Sequence, residues 1–286
     1  MDPLRTCLLD LLYELRDRNM PLTVGGGFGL FLKRMHLIDS GTRTLFDELP
    51  APRATNDIDI YFRVDVLTDS TRTEALVEAL QRLGYVAVEE AKYFQWKRAV
   101  DVGGVMQEVK LDALVGPLGD QRAKLQVNPP RVRPKGKSVG FHAYQTDEAL
   151  FIEDEPLAIE LTGTLSSKDA FTGTVYVPEA FPYLLMKLSA FADRREDANK
   201  DLGRHHALDA YAIVGMMTES EYHRTRMLAA RVRTDPHFLR VCDIVVAEFA
   251  TPTSPGVLRL REHRLFRDNF PIADFIGALA EVFRRG

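Results

Sequence analysis

The pattern of apolar residues changes at Pro178, and this change constrains the fold more than any other feature of the chain. Before it, short segments such as 57–63 alternate apolar and polar side chains, as strands do. After it, apolar residues recur at helical spacing, for example over 181–191. The pattern predicts an α+β protein, with a mixed α and β domain over residues 1–177 and a helical domain over 178–286.

The composition is that of an ordinary globular protein. The chain has 45% hydrophobic residues and a formal charge of −4, which argues against a disordered chain. No run of about 18 apolar residues occurs, so no membrane partner is expected. Charged residues among the leucines of the first segment indicate an amphipathic helix and not a signal peptide. Two cysteines, Cys7 and Cys242, predict core thiols in a reducing, cytoplasmic protein.

A cluster of glycines follows the first short apolar run. Gly25, Gly26, Gly27 and Gly29 come directly after Leu22-Thr23-Val24 and before a predicted helix. Backbone N–H groups at a helix N-terminus bind phosphate oxygens, so this turn is a candidate phosphate site. The spacing fits neither a Walker loop nor a dinucleotide fingerprint. For the glycines taken alone, a plain tight turn is the favoured explanation.

Three aspartates on two predicted strands are candidate metal ligands. Asp57 and Asp59 are two residues apart on one strand, which places both side chains on the same face with Cα atoms about 7 Å apart. Asp112 lies on a second predicted strand. If the two strands are neighbours, the three carboxylates suit Mg²⁺ and have room for two ions about 4 Å apart. Solvated strand residues are the alternative interpretation.

The order of these motifs resembles a known superfamily. Gly26-Gly27 followed by Arg53-Ala54-Thr55-Asn56-Asp57-Ile58-Asp59 resembles the nucleotidyltransferases of the DNA polymerase β type. The chain is more closely similar to the AbiEii/AbiGii toxin family, which has a downstream Lys-Leu-x-Ala motif and then an aspartate on a helix. Here these are Lys187-Leu188-Ser189-Ala190 and, 22 residues after Lys187, Asp209. The resemblance implies a polymerase β-like mixed sheet with helices, followed by a C-terminal helical bundle.

The resemblance also implies roles for individual residues. Two Mg²⁺ ions would bind to Asp57, Asp59 and Asp112, and Asp112 is also a candidate general base. The NTP substrate would bind through the glycine turn, two residues before the aspartates and the downstream lysine: Gly26, Gly27, Arg53, Thr55 and Lys187. Asp209 would orient Lys187 or the acceptor, and Asp201 competes for that role.

The implied activity is transfer of a nucleoside monophosphate from an NTP to an acceptor hydroxyl. The family implies a toxin of a toxin–antitoxin or phage-defence system, with a tRNA 3′ end or a protein as acceptor and a cognate antitoxin as partner. The basic stretch 131–137 contains proline and is predicted to be a loop. This stretch and a second basic cluster are candidate RNA contacts. That cluster consists of Arg224, Arg226, Arg231 and Arg233.

Two other functions stay open. One is a nucleotidyltransferase that modifies a small molecule such as an antibiotic. The other is a catalytically inactive nucleotide-binding module. A zinc site at His205-His206 is not expected, because no cysteine or carboxylate–histidine pattern accompanies the pair, and solvated or helix-capping histidines are the favoured interpretation.

Overall fold

The computed structural model describes residues 3–51, 53, 55–91, 94–135 and 140–285. The chain divides into two compact units, each built from several segments of the sequence. The first unit contains Met1–Leu32, Ala54–Asp147 and Ile152–Pro178. The second contains Lys33–Arg53, Glu148–Phe151 and Glu179–Gly286.

The first unit holds all the strands of the described residues. Its helices are α1 (Pro3–Leu15), α3 (Val64–Thr68) and α4 (Ser70–Arg82), and α2 (Gly26–Asp39) begins in it. The strands are β1 (Thr23–Val24), β2 (Asp57–Tyr61), β3 (Val86–Ala87), β4 (Gln95–Val102), β5 (Val105–Val115), β6 (Leu125–Asn128), β7 (Arg131–Pro134), β8 (Ala143–Gln145), β9 (Leu157–Thr164) and β10 (Ala170–Val177). A 3-10 helix, Gly119–Lys124, precedes β6.

The strands form one mixed sheet. Its main path runs β6-β7-β8-β5-β2-β1-β10-β9, and β4 pairs with both β3 and β5. Strand β2 is parallel to β5 and antiparallel to β1, and β10 is parallel to β1. Because β2 pairs with β5, residues 57–61 lie beside residues 110–114, although the two segments are far apart in the chain.

Helix α1 packs on the sheet through close contacts at glycines. A Cβ atom at Gly163 would lie 2.7 Å from Leu9 Cδ1, so the Leu9 side chain occupies the space beside β9 that glycine leaves open. Asp10 of α1 is buried and accepts hydrogen bonds from Arg98 Nη1 at 2.7 Å and from Ser166 N at 2.9 Å. The buried ion pair with Arg98 therefore anchors α1 to β4.

The second unit is helical. After the end of α2 it contains α5 (Ala180–Arg194), α6 (Arg204–Met216), α7 (Glu219–Arg231), α8 (Pro236–Glu248), α9 (Pro255–Arg261) and α10 (Ile272–Val282). Its core is rich in aromatic contacts, such as Tyr211 stacked on Phe270 with ring centroids 4.7 Å apart. Residues 40–51 are a loop in which Leu45 N donates to Met217 O at 2.8 Å, which holds the loop on the end of α6.

The α+β class, with a mixed sheet and C-terminal helices, is confirmed. The basic stretch 131–137 was predicted as a loop, and this is wrong for residues 131–134, which form β7. Val132 is fully buried between Arg131 and Arg133, as in a strand with one buried face. Gly136 and Lys137 lie outside the described residues. Among the described helices, none is both long and apolar enough to span a bilayer.

The prediction of two core thiols is confirmed. Cys7 of α1 and Cys242 of α8 are unpaired and have no exposed surface. Burial raises the pKa of both thiols, that of Cys242 to about 11.

Candidate functional site

A row of polar side chains crosses the sheet of the first unit. Asp59 of β2 is the register partner of Asp112 of β5, and Asp112 is in turn the partner of Gln95 of β4. Register partners on neighbouring strands point to the same face of a sheet. Asp57 lies two residues before Asp59 and therefore shares that face. The structure thus brings Asp57, Asp59 and Asp112 together on one side of the sheet.

The opposite face of the same strands belongs to the core. Ile58 and Ile60 of β2 and Leu111 and Ala113 of β5 are almost completely buried, whereas the three aspartates are half-buried. The alternation of Asp and Ile in β2 therefore separates an acidic face from an apolar face. We refer to Asp57, Asp59 and Asp112 as the carboxylate face.

Two neighbouring side chains orient these carboxylates. The hydroxyl of Thr55 donates a hydrogen bond to Asp57 Oδ1, and Gln95 Nε2 donates to Asp112 Oδ1 at 2.7 Å. Burial raises the pKa of Asp112, and the charge of Asp57 raises it further, although the Gln95 hydrogen bond and Lys110 act in the opposite direction. The raised pKa shows that negative charge at Asp112 is only partly compensated within the protein.

The glycine turn packs directly on the carboxylate face. Gly25 N donates to Asp59 O at 2.8 Å, and a Cβ atom at Gly25 would lie 2.7 Å from Tyr61 Cε2. Gly26 has φ +60°, and a Cβ atom there would lie 1.7 Å from Asp59 Oδ2. Both the backbone conformation and the contact with Asp59 therefore require glycine at position 26.

Helix α2 begins at this turn. Gly29 N donates to Gly25 O at 2.8 Å, which is the first hydrogen bond of the helix, and Gly27 is buried in its first turn. The first amides of a helix have no partner within it and favour anions. The N-terminus of α2 is therefore located next to the Asp59 carboxylate.

Lys187 and Asp209 form a buried ion pair in the second unit. Lys187 Nζ of α5 lies 2.7 Å from Asp209 Oδ2 of α6, and the two residues are 7% and 4% exposed. Arg53 Nε donates to the same carboxylate at 3.3 and 3.4 Å. Burial alone would raise the pKa of Asp209, but the charges of Lys187 and Arg53 outweigh it and lower the pKa. Asp209, and not Asp201, is the partner of Lys187.

A third cation and a neutral histidine complete this group. Arg194 Nη1 lies 2.6 Å from His206 Nε2, and because arginine can only donate, Nε2 accepts and the proton is on Nδ1. Burial and the charges of Lys187 and Arg194 lower the pKa of His206 to about 2. His206 is half-buried and accepts a hydrogen bond from Arg194, so it is neither fully solvated nor a helix cap, contrary to the prediction. We call Arg53, Lys187, Arg194, His206 and Asp209 the Lys187 cluster.

Arg53 and Thr55, both predicted to bind nucleotide, contact different carboxylates. Arg53 belongs to the second unit, where it contacts Asp209, whereas Thr55 belongs to the first unit, where it contacts Asp57. Sequence reasoning missed Gln95 altogether and gave no role to Arg194 or His206. The alternating pattern of 94–96 places Gln95 on one face of a strand. Its contact with Asp112 depends on the pairing of β4 with β5, which the sequence does not show.

Another group contains two histidines and a carboxylate. Among the described residues, Asp201, His205 and His263 have ligand atoms within 4.8 Å of one another, and the carboxylate face does not meet this distance. Leu265 N donates to His263 Nδ1, so His263 Nε2 carries the proton and donates to His205 Nδ1 at 2.9 Å. Asp201 Oδ2 lies 3.5 Å from His205 Nε2, so the three residues form a hydrogen-bonded chain.

The four arginines of the second basic cluster predicted from the sequence have different surroundings. Arg224 Nε lies 2.8 Å from Glu179 Oε2, and Arg231 lies over the ring of Phe151 at 4.8 Å. Arg226 and Arg233 line a cavity instead. The four arginines therefore do not form one continuous basic surface.

No family model and no curated protein matches this chain. One solved structure is similar to it, the solution structure of the antibiotic-resistance factor ANT(2'')-Ia. The two chains are 16% identical, with 83% of this chain and 99% of that chain covered and a TM-score of 0.35. A likeness at this score assigns neither a family nor an activity.

Proposed function

We propose that this chain is a metal-dependent nucleotidyltransferase and that the carboxylate face is its reaction centre. The observation that carries the proposal is the register of β2 and β5, which places Asp59 beside Asp112 on the same face as Asp57. The N-terminus of α2 lies against Asp59, so groups suited to a cation and groups suited to phosphate oxygens are neighbours.

The donor set of the carboxylate face fits Mg²⁺. Mg²⁺ prefers carboxylate oxygens and retains waters and substrate phosphates in its shell. The raised pKa of Asp112 supports this, because a nearby cation would stabilise the charged form. The carboxylates are spread more widely than the Asp201 group, and Asp57 and Asp112 are hydrogen-bonded to Thr55 and Gln95. Bound Mg²⁺, expected as two ions, would neutralise the triphosphate and lower the pKa of the acceptor hydroxyl.

The residues of the chain then have defined tasks. The amides at Gly26 and Gly27 bind phosphate oxygens of the NTP. The acceptor oxygen forms a bond to the α-phosphorus, the bond from this phosphorus to the oxygen bridging to the β-phosphate breaks, and pyrophosphate leaves. The hydroxyl proton passes to Asp112, the residue that the motif resemblance implies as general base.

The Lys187 cluster contributes positive charge in this proposal. It contains three cationic side chains and one carboxylate, so positive charge is in excess. The motif resemblance assigns Lys187 to phosphate oxygens, and Asp209, which also accepts from Arg53, orients the Lys187 ammonium group. Thr55 acts through Asp57, whose carboxylate it orients.

Transfer of label from α-³²P-labelled NTPs tests the proposal. We expect Asp57→Asn and Asp59→Asn to lower the rate at least about a hundredfold, because the charge that holds the metal is lost. Glu108→Gln is the matched control, because Glu108 is an exposed acid on the same strand and face as Asp112 and pairs with Lys97 at 3.5 Å. Full activity in both aspartate variants, with Mg²⁺ present, would exclude the carboxylate face as the reaction centre.

The acceptor distinguishes the remaining alternatives. The motif resemblance favours a tRNA 3′ end or a protein hydroxyl, a toxin role and a cognate antitoxin, and an antibiotic is the competing acceptor. The labelled NTPs should therefore be incubated separately with total tRNA, with cell protein and with aminoglycosides. Calorimetry that detects no binding of Mg²⁺ and NTP would favour an inactive module instead.

A further inference from the structure

A cavity of about 720 Å³ in the second unit is lined by an unusual number of cations. Arg226 comes from α7, Arg233 from the turn that follows it, and Arg284 follows α10. His223 and Glu281 add one histidine and one carboxylate to the lining. Three guanidinium groups therefore face one carboxylate.

That carboxylate is already engaged. Glu281 Oε2 accepts a hydrogen bond from Tyr222 at 3.0 Å and lies 3.5 Å from Arg226 Nη1. Arg233 and Arg284 make no ion pair or hydrogen bond with any part of the chain that the structure describes. Like charges gathered in one cavity repel each other, and a bound anion would remove this repulsion.

Apolar side chains make up the remainder of the lining. Phe238 and Val282 are 1% and 3% exposed, so they form the closed base of the cavity and expose little surface. Met227 is 57% exposed and adds a flexible apolar wall. A ligand that fills the cavity therefore needs an anionic part for the arginines and an apolar ring or chain for this surface.

We propose that this cavity binds a small phosphorylated ligand with a ring, of the size of a nucleoside diphosphate. The cavity volume lies within the usual range for small-ligand sites, about 300–1,000 Å³. Planar guanidinium groups hold a phosphate through paired hydrogen bonds from several directions. The neighbouring Arg224 and Arg231 contact Glu179 and Phe151, so the free positive charge is concentrated in the cavity and does not continue as a track for a long nucleic acid.

Calorimetry on the full chain tests this with ADP as the probe. The titration uses the Asp59→Asn background and EDTA, so that nucleotide binding at the carboxylate face does not contribute. We expect ADP to bind and the Arg233→Ala/Arg284→Ala variant to bind it at least about tenfold more weakly, because charge-assisted hydrogen bonds are lost. Replacement of both by lysine should restore part of the affinity. Arg261→Ala, a change of an exposed arginine of α9 outside the cavity, should leave it unchanged.

Three results would overturn the proposal. The first is no saturable binding of ADP to the background protein. The second is unchanged binding in the Arg233→Ala/Arg284→Ala variant. The third is equal affinity for ADP, citrate and pyrophosphate, which would show that the cavity selects neither phosphate nor the ring. Both arginines are exposed, so circular dichroism should show a native fold for the variant.

Discussion

The carboxylate face and the Lys187 cluster have opposite imbalances of charge. On the carboxylate face three aspartates have Lys110 as a neighbouring cation, which is the register partner of Asp57. In the Lys187 cluster Lys187 and Arg53 contact Asp209, and Arg194 contacts the neutral His206, so three cations accompany one carboxylate. One region would gain stability from a bound cation and the other from a bound anion. Excess negative charge therefore favours a cation as the ligand of the first region, and excess positive charge favours an anion as the ligand of the second.

The largest expected effect comes from Asp209→Asn. It leaves Lys187 and Arg53 with buried charge that no carboxylate compensates, so we expect a loss of about 3–5 kcal/mol in the free energy of unfolding. Denaturation in urea measures it. Asp243→Asn removes an exposed pair with Arg285 and should cost less than about 1 kcal/mol. Equal effects of the two changes would contradict the buried pair.

Gly26→Ala should have the next largest effect. Gly41 is the control, since its φ of +61° matches the +60° of Gly26 but no atom lies within 4 Å of a Cβ there. Gly41→Ala should therefore cost only the backbone strain, about 1–2 kcal/mol. Gly26→Ala adds the contact with Asp59 and should cost about 1–3 kcal/mol more. Comparable thermal stabilities would show that Asp59 does not lie against the turn.

Acid should destabilise the Lys187 cluster. The pKa of His206 is about 2 in the fold, against about 6.5 in the unfolded chain, so protons bind preferentially to the unfolded state. This contribution to stability is complete above pH 6.5 and decreases as the pH falls, by about 2 kcal/mol at pH 5. Unfolding measured between pH 8 and pH 5 tests it. His206→Gln should make the profile flatter, and His223→Gln, at an exposed position outside the cluster, should not.

The smallest effect on the free energy of unfolding is expected on the carboxylate face, where a substitution should stabilise the fold. Asp112→Asn removes one of the repelling charges and can still accept the Gln95 hydrogen bond, so stability in EDTA at pH 8 should rise by less than about 1 kcal/mol. Added Mg²⁺ should then stabilise the wild type more than the variant. Thermal unfolding with and without Mg²⁺ measures both effects. A variant that Mg²⁺ stabilises as much as the wild type would show that Asp112 is not a ligand.

Local patterns predicted much of this molecule. The spacing of Asp57 and Asp59 predicted that they share a face, and the change of pattern at Pro178 predicted where the C-terminal helices begin. The proximity of Asp112 depended on an assumption about strand pairing, since nothing in the sequence near 57 or 112 encodes that β2 and β5 are neighbours.

Pairings between distant segments account for what the sequence could not show. Gln95 meets Asp112 through an antiparallel pairing, and Arg53 meets Asp209 across 156 residues. The strand at 131–134 was mistaken for a loop because prolines and arginines dominate its composition, whereas the burial of Val132 depends on its neighbours β6 and β8. In each case the contact depends on a distant segment of the chain, so the local sequence does not predict it.

The burial of both native thiols makes the chain well suited to site-directed labelling. Cys7 and Cys242 have no exposed surface, and their raised pKa values keep them protonated at neutral pH. A maleimide dye or a nitroxide would therefore react first with a cysteine introduced on the surface. Fluorescence and electron-spin measurements can begin from the natural sequence, with no need to remove either thiol.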